Sequence, residues 1–289
     1  MKQLLILSGK GGTGKTTTAA AFIAFAEAQA FADCDVDAPN LHLVAQFAGE
    51  PERRPYLGGQ KAEIDAETCA GCGKCAAHCR FGAVQETTAG FVVDPIACEG
   101  CGVCVAVCPE QAVRLVDDVA GEQALYREKA VFSTATLKMG RGNSGKLVTE
   151  VKKALVAESE AALAIIDGSP GIGCPVIASV SGVDMVLLVA EPSVSGLSDL
   201  RRIVQTCRGF GTKVAVCVNK ADVALESTAA VARFCAEEAI PLLGTIPYDR
   251  AVPEAVNAGQ SIAAVDTPAR DALRQIFDEC MALLYERSC

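Results

Sequence analysis

The stretch GKGGTGKT, residues 9–16, decides how the rest of the chain is interpreted. It matches the pattern G-x-x-x-x-G-K-[ST] in full, and it lies between an apolar run (3–8) and a helix-like segment (16–29). Glycines in this setting let backbone N–H groups wrap around phosphate oxygens, and the helix N-terminus adds partial positive charge. We expect Lys15 to reach the β- and γ-phosphates of a nucleotide and Thr16 to bind Mg²⁺. The other predicted nucleotide contacts in the loop are Gly11, Gly12, Thr13, Gly14 and Thr17.

Outward from this loop, apolar runs alternate with helix-like stretches. Most of the runs are too continuously apolar for half-exposed strands, which indicates strands buried on both faces. The predicted strands are 3–8, 30–35, 130–137, 162–167, 185–191, 213–219 and 241–246. The predicted helices are 16–29, 145–160, 175–181, 196–208, 225–239 and 268–286. The alternation predicts an α/β fold with a mainly parallel sheet, helices on both of its faces, and ligands at the carboxyl ends of its strands.

The composition narrows the classes of function. The chain has 289 residues, a net charge of −9 and 51% hydrophobic residues, which is enough for a sizeable core. The negative charge argues against nucleic acid or an anionic membrane as a partner. No apolar run reaches the length of a membrane span and the N-terminus does not resemble a signal peptide, so we expect a cytoplasmic protein without stable membrane insertion. Fifteen cysteines in such a chain favour thiolate–metal chemistry over disulfides.

The segment from 58 to 121 breaks the alternation of strands and helices. It is rich in Cys, Gly and Ala, lacks long periodic elements, and contains an internal repeat. The two copies are CAGCGKCAAHC (69–79) and CEGCGVCVAVCP (98–109). We therefore predict that 58–121 is a small α+β domain inserted into a nucleotide-binding domain formed by 1–57 and 122–289.

Both copies of the repeat carry the spacing C-x₂-C-x₂-C-x₃-C, typical of bacterial ferredoxins, in which the fourth cysteine of each run binds the other run's cluster. The predicted ligands of one [4Fe–4S] cluster are Cys69, Cys72, Cys75 and Cys108. The predicted ligands of the other are Cys98, Cys101, Cys104 and Cys79. Zinc is the alternative, although Cys₄ zinc sites usually consist of two C-x₂-C pairs far apart. Arg80 stands where the second run has Pro109, which alters a turn but removes no ligand.

Lys10 gives the glycine-rich loop a second lysine. A lysine directly after the first glycine resembles the deviant phosphate loop of the MinD/ParA/Mrp ATPases, also called the SIMIBI class. In that family the extra lysine reaches the nucleotide of the partner subunit, and the resemblance implies the same catalytic role for Lys10 beside Lys15. Positive charge supplied in trans stabilises phosphoryl transfer and ties hydrolysis to assembly. An ordinary solvated lysine is the alternative.

Two further segments resemble the switch regions of these ATPases. DCDVDAPN (33–40) resembles switch I, which implies that Asp35 orients the attacking water. The residues implied to support it are Asp33, Asp37 and Asn40. IIDGSPGIG (165–173) resembles switch II, which implies that Asp167 holds Mg²⁺ through water and that Gly171 approaches the γ-phosphate. Acidic side chains at a strand end can also merely cap a turn.

Two segments are candidates for recognition of the base. VNKAD (218–222) resembles a base-binding motif with Asn219 as the implied contact, and its likeness to the guanine-reading N-K-x-D leaves GTP as an alternative. IPYD (246–249) resembles the segment that lines adenine in these ATPases. This second likeness implies contacts from Pro247 and Asp249 and favours ATP.

Together these motifs resemble a MinD-superfamily ATPase with an inserted two-cluster ferredoxin domain. The resemblance implies Mg²⁺-dependent hydrolysis of ATP and an ATP-bound dimer, formed by two copies of the chain or by the chain and a paralogous ATPase. Dimerisation would gate electron transfer to a client protein, or the assembly or delivery of an iron–sulfur or metal cofactor. The alternatives are a positioning ATPase of the MinD/ParA type, with the insert as redox sensor or partner dock, and a ferredoxin on an inert scaffold.

Cys174 follows switch II within the same loop. Pro175 predicts the first turn of a helix, whose N-terminus favours the thiolate form of a cysteine. In the nitrogenase iron protein a cysteine similarly placed ligates a cluster shared across the dimer, so two copies of Cys174 are a candidate metal site at a two-fold axis. A small side chain packed where switch II meets the sheet is the alternative.

Overall fold

The computed structural model describes residues 1–45 and 49–286. The chain divides into two compact units. Unit 1 comprises 1–53, 123–136 and the chain from 144 onward, and unit 2 comprises 54–122 and 137–143. No helix in the described part of the chain is long and apolar enough to cross a membrane.

Eleven strands are present in the described residues. In chain order they are β1 (Lys2–Leu7), β2 (Ala30–Asp33), β3 (Glu52–Ile64), β4 (Val84–Thr87), β5 (Gly90–Val93), β6 (Val113–Arg127), β7 (Val131–Leu137), β8 (Leu163–Asp167), β9 (Met185–Ala190), β10 (Lys213–Asn219) and β11 (Leu242–Ile246). Nine of them form one sheet in the order β11-β10-β9-β1-β8-β2-β7-β6-β3, and β4 and β5 form a separate antiparallel pair. From β11 to β7 every neighbouring pair is parallel.

Most of the parallel strands are followed by a helix, and the described residues contain ten α-helices. They are α1 (Lys15–Ala26), α2 (Leu41–Val44), α3 (Lys74–Ala77), α4 (Val103–Val107), α5 (Ser144–Glu158), α6 (Cys174–Val180), α7 (Val194–Gly209), α8 (Leu225–Glu237), α9 (Ala251–Asn257) and α10 (Pro268–Tyr285). All seven strands predicted from the sequence are present, with ends that differ by at most two residues. The parallel pairing from β11 to β7 confirms the predicted mainly parallel α/β fold. Strands β2, β8 and β9 are almost wholly buried, as their continuously apolar sequences predict.

The end of α1 shows how the chain turns without a glycine. The sequence predicted a helix to Gln29, but α1 ends at Ala26 and Glu27 takes a left-handed conformation with φ +46°. The N–H of Glu27 donates to the Ala24 carbonyl and that of Ala28 to the Ile23 carbonyl. This is a Schellman cap, in which glycine is the usual left-handed residue.

The lack of long periodic patterns in 58–121 does not exclude long strands from this segment. β3 has 13 residues and β6 has 15, and both strands contribute residues to both units. The sequences of these strands do not have the usual pattern of a strand. β3 contains a proline and two glycines, and most of its side chains are exposed. β6 carries an adjacent pair of acidic residues where an alternating strand would show one apolar side chain.

Unit 2 has a small core of its own in which cysteine side chains take the place of large apolar ones. Its buried members are Ala62, Cys75, Ala83, Val84, Cys98, Cys104 and Val113. The two sequence repeats share a backbone conformation, because the glycine before α3 (Gly73, φ +70°) and the glycine before α4 (Gly102, φ +76°) are both left-handed. At Gly100 a Cβ would lie 2.0 Å from the Gln60 carbonyl oxygen, so this position requires glycine.

Candidate functional site

The carboxyl edge of the unit 1 sheet gathers the predicted site residues. β1 leads into the glycine-rich loop, β2 ends at Asp33, β8 ends at Asp167 and β10 ends at Asn219. β8 lies between β1 and β2 in the sheet, so the loop and the two aspartates come from three adjacent strands. This edge is where ligands bind in open parallel sheets.

Lys15, Thr16 and Asp167 form a polar cluster at this edge. Lys15 Nζ lies 2.6 Å from Asp167 Oδ1, and the Thr16 hydroxyl donates to Asp167 Oδ2 at 2.6 Å. The Asp167 side chain is fully buried and that of Lys15 is 6% exposed. Burial lowers the pKa of Lys15, but the charge of Asp167 and its hydrogen bond outweigh burial and leave the pKa raised. Lys15 therefore stays charged. The Thr16 hydroxyl and the Asp167 carboxylate place two hard oxygen ligands side by side.

Two further carboxylates surround this cluster. The buried Asp33 carboxylate accepts the backbone N–H groups of Asp35, Asn40 and Leu41 at 2.9–3.0 Å, and so fixes the loop that carries Asp35. Burial, with the charge of Asp167, raises the pKa of Asp33 to about 7. Burial also raises the pKa of Asp35. Three carboxylates against one ammonium leave the site short of positive charge, which fits a divalent cation held by oxygen ligands.

The phosphate loop is shaped by Gly14 and fixed by Asn219. Gly14 has φ +96°, and a Cβ there would lie 2.2 Å from Asn219 Nδ2. Asn219 Nδ2 donates to the Thr13 carbonyl at 2.7 Å, and Asn219 Oδ1 accepts the Lys220 N–H at 2.9 Å. The Thr13 hydroxyl is buried and has no hydrogen-bond partner in the described part of the chain. Asn219 therefore supports the loop backbone, and its contact with a base stays a prediction.

A cavity of about 690 Å³ opens in front of the loop. The predicted site residues that line it are Lys10, Gly11, Gly12, Gly14, Lys15, Thr16, Thr17, Asp35 and Asn40. Pro170 lines it from the switch II side. Gly171 is not among the lining residues, and its N–H donates to the Ser8 carbonyl at 3.1 Å. One open volume therefore brings the loop and switch I together, and contact of Gly171 with a phosphate stays a prediction.

A second cavity, of about 400 Å³, adjoins the loop on its other side. Its apolar and aromatic wall consists of Ile246, Tyr248, Val252, Pro253, Val256 and Leu273. Gly12, Gly14 and Thr17 line both cavities, so a ligand could extend from one to the other along the loop. A partly apolar cavity beside the predicted phosphate loop suits a nucleobase.

The two residues predicted to contact the base lie next to lining residues in the chain. Pro247 and Asp249 are not among the lining residues, and the Asp249 carboxylate accepts the Ala251 N–H at 2.9 Å, at the start of α9. Helix α9 was not predicted because Pro253 interrupts a short apolar pattern, although proline is compatible with the first turn of a helix. A direct role of Pro247 and Asp249 in base binding stays a prediction.

Lys10 makes an ion pair with another residue of the same chain. Its Nζ lies 2.6 Å from Glu191 Oε2, and Lys220 Nζ lies 3.3 Å from Glu191 Oε1. Lys220 also donates to the Gly12 carbonyl at 3.3 Å. The Lys10 hydrogen bond, with the contribution of Lys220, holds the pKa of Glu191 below its usual value. Glu191 is not predicted from the sequence, because a single glutamate after an apolar strand belongs to no motif.

In unit 2, cysteines of the two repeats meet. Cys79, from the first repeat, lines one cavity with Cys98, Cys101 and Cys104, from the second. The backbone N–H groups of Ala62 and Gly100 approach Cys98 Sγ at 3.4 Å. These four cysteines are the set predicted to bind one cluster.

In the other predicted set, Cys75 is buried and has Cys69 and Cys108 nearby. Burial raises the pKa of Cys75, and the nearby thiols of Cys69 and Cys108 add to that increase. The Ala112 N–H approaches Cys108 Sγ at 3.3 Å, and Cys72 is exposed. Within residues 1–45 and 49–286, no three Cys, His, Asp or Glu side chains converge as the ligands of one metal ion.

Cys174 is exposed at the first residue of α6. Its exposure disagrees with the alternative that it is a small packed side chain. Gly145, in the first turn of α5, lies against it, since a Cβ on Gly145 would be 3.3 Å from Cys174 Cβ. A metal bridge between two copies of Cys174 stays a prediction.

Comparison with known proteins agrees with this geometry. The family model described as CobQ/CobB/MinD/ParA nucleotide binding domain matches residues 4–262. Uncharacterized protein MJ0578 of Methanocaldococcus jannaschii is 34% identical over 223 residues, which are 75% of this chain and 78% of that protein. A Drosophila pseudoobscura pseudoobscura homolog of the cytosolic Fe-S cluster assembly factor Nubp1 is 28% identical over 108 residues, 33% of this chain and 35% of that protein.

A solved structure shares the fold. The septum site-determining protein MinD of Pyrococcus horikoshii OT3, complexed with Mg-ADP, superposes with a TM-score of 0.59 at 18% identity and covers 98% of this chain and 97% of that chain. At this level of identity the likeness concerns the fold alone.

Proposed function

The chain belongs to the CobQ/CobB/MinD/ParA family of nucleotide-binding domains, and on that premise we propose that it is an ATP-dependent iron–sulfur protein. Binding of ATP would bring two subunits together, and hydrolysis of ATP to ADP and phosphate would let them separate. That assembly would gate electron transfer to a client protein, or the assembly or delivery of an iron–sulfur or metal cofactor. The observation that carries the proposal is the presence, in one chain, of the Lys15–Asp167–Thr16 cluster and a cavity lined by cysteines of both repeats.

The phosphate site supports ATP hydrolysis. Lys15 would neutralise the β- and γ-phosphates, and Thr16 and Asp167 would hold Mg²⁺, which supplies positive charge where negative charge develops. Asp35 lines the phosphate cavity and is half-buried, and its loop is fixed by the Asp33 carboxylate. Asp35 would orient the attacking water and accept a hydrogen bond from it.

The base site supports ATP over GTP. In the segment that resembles N-K-x-D, the Asn219 amide holds the loop backbone. Asp222 in the same segment uses one carboxylate oxygen to accept the Tyr248 N–H at 2.7 Å. The Asn219 amide and one oxygen of Asp222 are thus engaged with the protein's own backbone, while one wall of the neighbouring cavity is apolar.

Dimerisation is proposed from the position of Lys10. This lysine lines the phosphate cavity, and its side chain is 36% exposed. Lys15 already supplies the buried positive charge of the loop. A second, partly exposed cation on the rim of the cavity suits delivery of charge to a partner subunit's nucleotide.

The cysteine sets support two [4Fe–4S] clusters in unit 2. Thiolates are the ligands of such clusters, and backbone N–H groups directed at sulfur are among the features that tune them. Burial raises the pKa of Cys79, but the backbone N–H groups around it outweigh burial and leave the pKa lowered, which favours the thiolate. The partial likeness to an Fe-S cluster assembly factor supports a role in cofactor delivery.

The test is anaerobic purification followed by iron and sulfide analysis and an ATPase assay. We expect about eight iron atoms per chain, and ATP turnover that differs between dithionite-reduced and oxidised protein. The Lys15→Ala variant should keep its iron and lose turnover, which controls for contaminating ATPases. Protein that is free of iron after anaerobic purification, or turnover insensitive to the redox state, would contradict the proposal.

A further inference from the structure

Hydrogen bonds to the backbone carbonyls of Glu191 and Lys10 fix both residues where their side-chain charges are close. The Ser8 hydroxyl donates to the Lys10 carbonyl at 2.9 Å. The Ser193 N–H donates to the Glu191 carbonyl at 2.8 Å in the turn before α7. That turn requires Gly196, because a Cβ there would lie 2.3 Å from the Glu191 carbonyl oxygen. The 2.6 Å ion pair between Lys10 and Glu191 is therefore set by the fold on both sides.

A second lysine completes the arrangement. Lys220 has a left-handed backbone with φ +55°, unusual for a residue with a side chain, and this conformation accompanies contacts of its Nζ with both Glu191 and Gly12. Glu191 thus pairs with two cations at once. If the Lys10 side chain moves away, Glu191 still has its ion pair with Lys220 and is not an unpaired charge.

We propose that Glu191 is a positioning residue that holds Lys10 within its own subunit until a second subunit arrives. The inference rests on the proposed function, in which Lys10 acts on the partner subunit's nucleotide. One ammonium group cannot be 2.6 Å from Glu191 and also reach across an interface. Each subunit must therefore break this ion pair before the ATP-bound dimer forms, and Glu191 opposes dimerisation.

The size of the effect follows from the exposure of the pair. Lys10 is 36% and Glu191 25% exposed, so the pair belongs with partly solvated ion pairs. Breaking one such pair changes an equilibrium by about threefold, and two are broken in each dimer, which gives about tenfold. Loss of Glu191 should therefore strengthen dimerisation rather than weaken it, which a merely structural role would not do.

The experiment measures dimer dissociation constants by sedimentation with a non-hydrolysable ATP analogue, under anaerobic conditions. Glu191→Gln should dimerise about tenfold more tightly than the wild type. Its affinity for the analogue at concentrations where it is monomeric should be unchanged. Glu191→Asp, which keeps the charge, should restore most of the wild-type value. The matched control is Asp184→Asn, at the other end of β9, where Asp184 pairs with Lys2 at 2.7 Å and is 32% exposed; it should dimerise like the wild type.

The double variant Lys10→Ala/Glu191→Gln separates this inference from the proposed function. It should dimerise as poorly as Lys10→Ala alone, because Glu191 acts through Lys10. If Lys10→Ala fails to dimerise while Glu191→Gln equals the wild type, only the role of Glu191 is wrong. If Lys10→Ala dimerises normally, the action of Lys10 in trans is wrong and the inference fails with it.

Discussion

Lys15 Nζ and Asp167 Oδ1 are 2.6 Å apart, and both side chains are almost completely removed from solvent. An ion pair at such a depth is maintained by its two partners together, because either charge alone would be buried without compensation. Lys15, which we propose to bind phosphate, thus also contributes to the stability of the site.

Replacing Lys15 should therefore affect stability as well as binding. We expect Lys15→Met to abolish ATP binding and to lower the free energy of unfolding by about 3–5 kcal/mol. The double variant Lys15→Met/Asp167→Asn should recover part of that loss, since it removes the unpaired carboxylate. Urea unfolding without nucleotide measures the first effect, and titration with ATP measures the second. Equal unfolding free energies for the wild type and Lys15→Met would contradict the buried pair.

The contact between Gly14 and Asn219 gives a prediction with a control in the same loop. Gly14→Ala should destabilise the nucleotide-free protein by about 1–3 kcal/mol, because a Cβ meets the Asn219 amide and the backbone is left-handed. Gly11→Ala should change stability by less than about 0.5 kcal/mol, because a Cβ at Gly11 meets nothing within 4 Å. Thermal unfolding of the two variants is the measurement. Similar losses in both would show that the loop does not depend on the Gly14–Asn219 contact.

The sequence predicted the parallel sheet well, because continuously apolar runs such as 185–191 have few alternatives to a buried strand. It predicted the loop and switch segments for a related reason, since their motifs lie directly after such strands. It missed β3 and β6, whose exposed side chains follow no clear alternation. It also missed the Glu191 pair, because that pair joins residues far apart in the chain, which become neighbours only when β9 lies beside β1.

Asp35 should be required for turnover but not for binding. Its carboxylate lines the phosphate cavity, whereas Asp37, two residues later, is exposed and does not line it. Asp35→Ala should reduce ATP hydrolysis by at least about 100-fold and accumulate as the ATP-bound dimer, because water orientation is lost while phosphate contacts remain. Asp37→Ala should hydrolyse ATP within about twofold of the wild-type rate. Steady-state turnover with size-exclusion chromatography distinguishes the two. Wild-type turnover in Asp35→Ala would remove this residue from catalysis.

Paired substitutions can test whether the fourth cysteine of each repeat binds the cluster of the other repeat. Cys72→Ser and Cys101→Ser should each lose about half of the bound iron, since each interrupts one cluster. Cys79→Ser combined with Cys101→Ser should still lose only half, because both residues belong to one set. Cys79→Ser combined with Cys72→Ser should lose nearly all of it. Cys174→Ser, also exposed, should keep the full amount of iron. Iron loss that follows sequence repeats instead of these sets would overturn the assignment.

The cysteines of unit 1 should differ sharply in reactivity. Burial raises the pKa of Cys207 and of Cys280 to about 12 and that of Cys235 to about 11, and it also raises the pKa values of Cys34 and Cys217. These thiols are neutral near pH 8 and shielded from reagents, whereas Cys174 is exposed. We expect iodoacetamide to modify Cys174 at least about a hundredfold faster than the five buried cysteines in the folded protein.

Peptide mapping by mass spectrometry measures each position separately, and Cys289, which lies outside the described residues, is left out of the comparison. Protein unfolded in urea is the control, and all six cysteines of unit 1 should react there at similar rates. The ATP analogue adds a second comparison, because a cysteine that enters a dimer interface becomes shielded. Protection of Cys174 in the wild type but not in Lys10→Ala would connect this residue to the ATP-bound dimer. Rapid modification of Cys207 or Cys217 in the folded protein would contradict their burial.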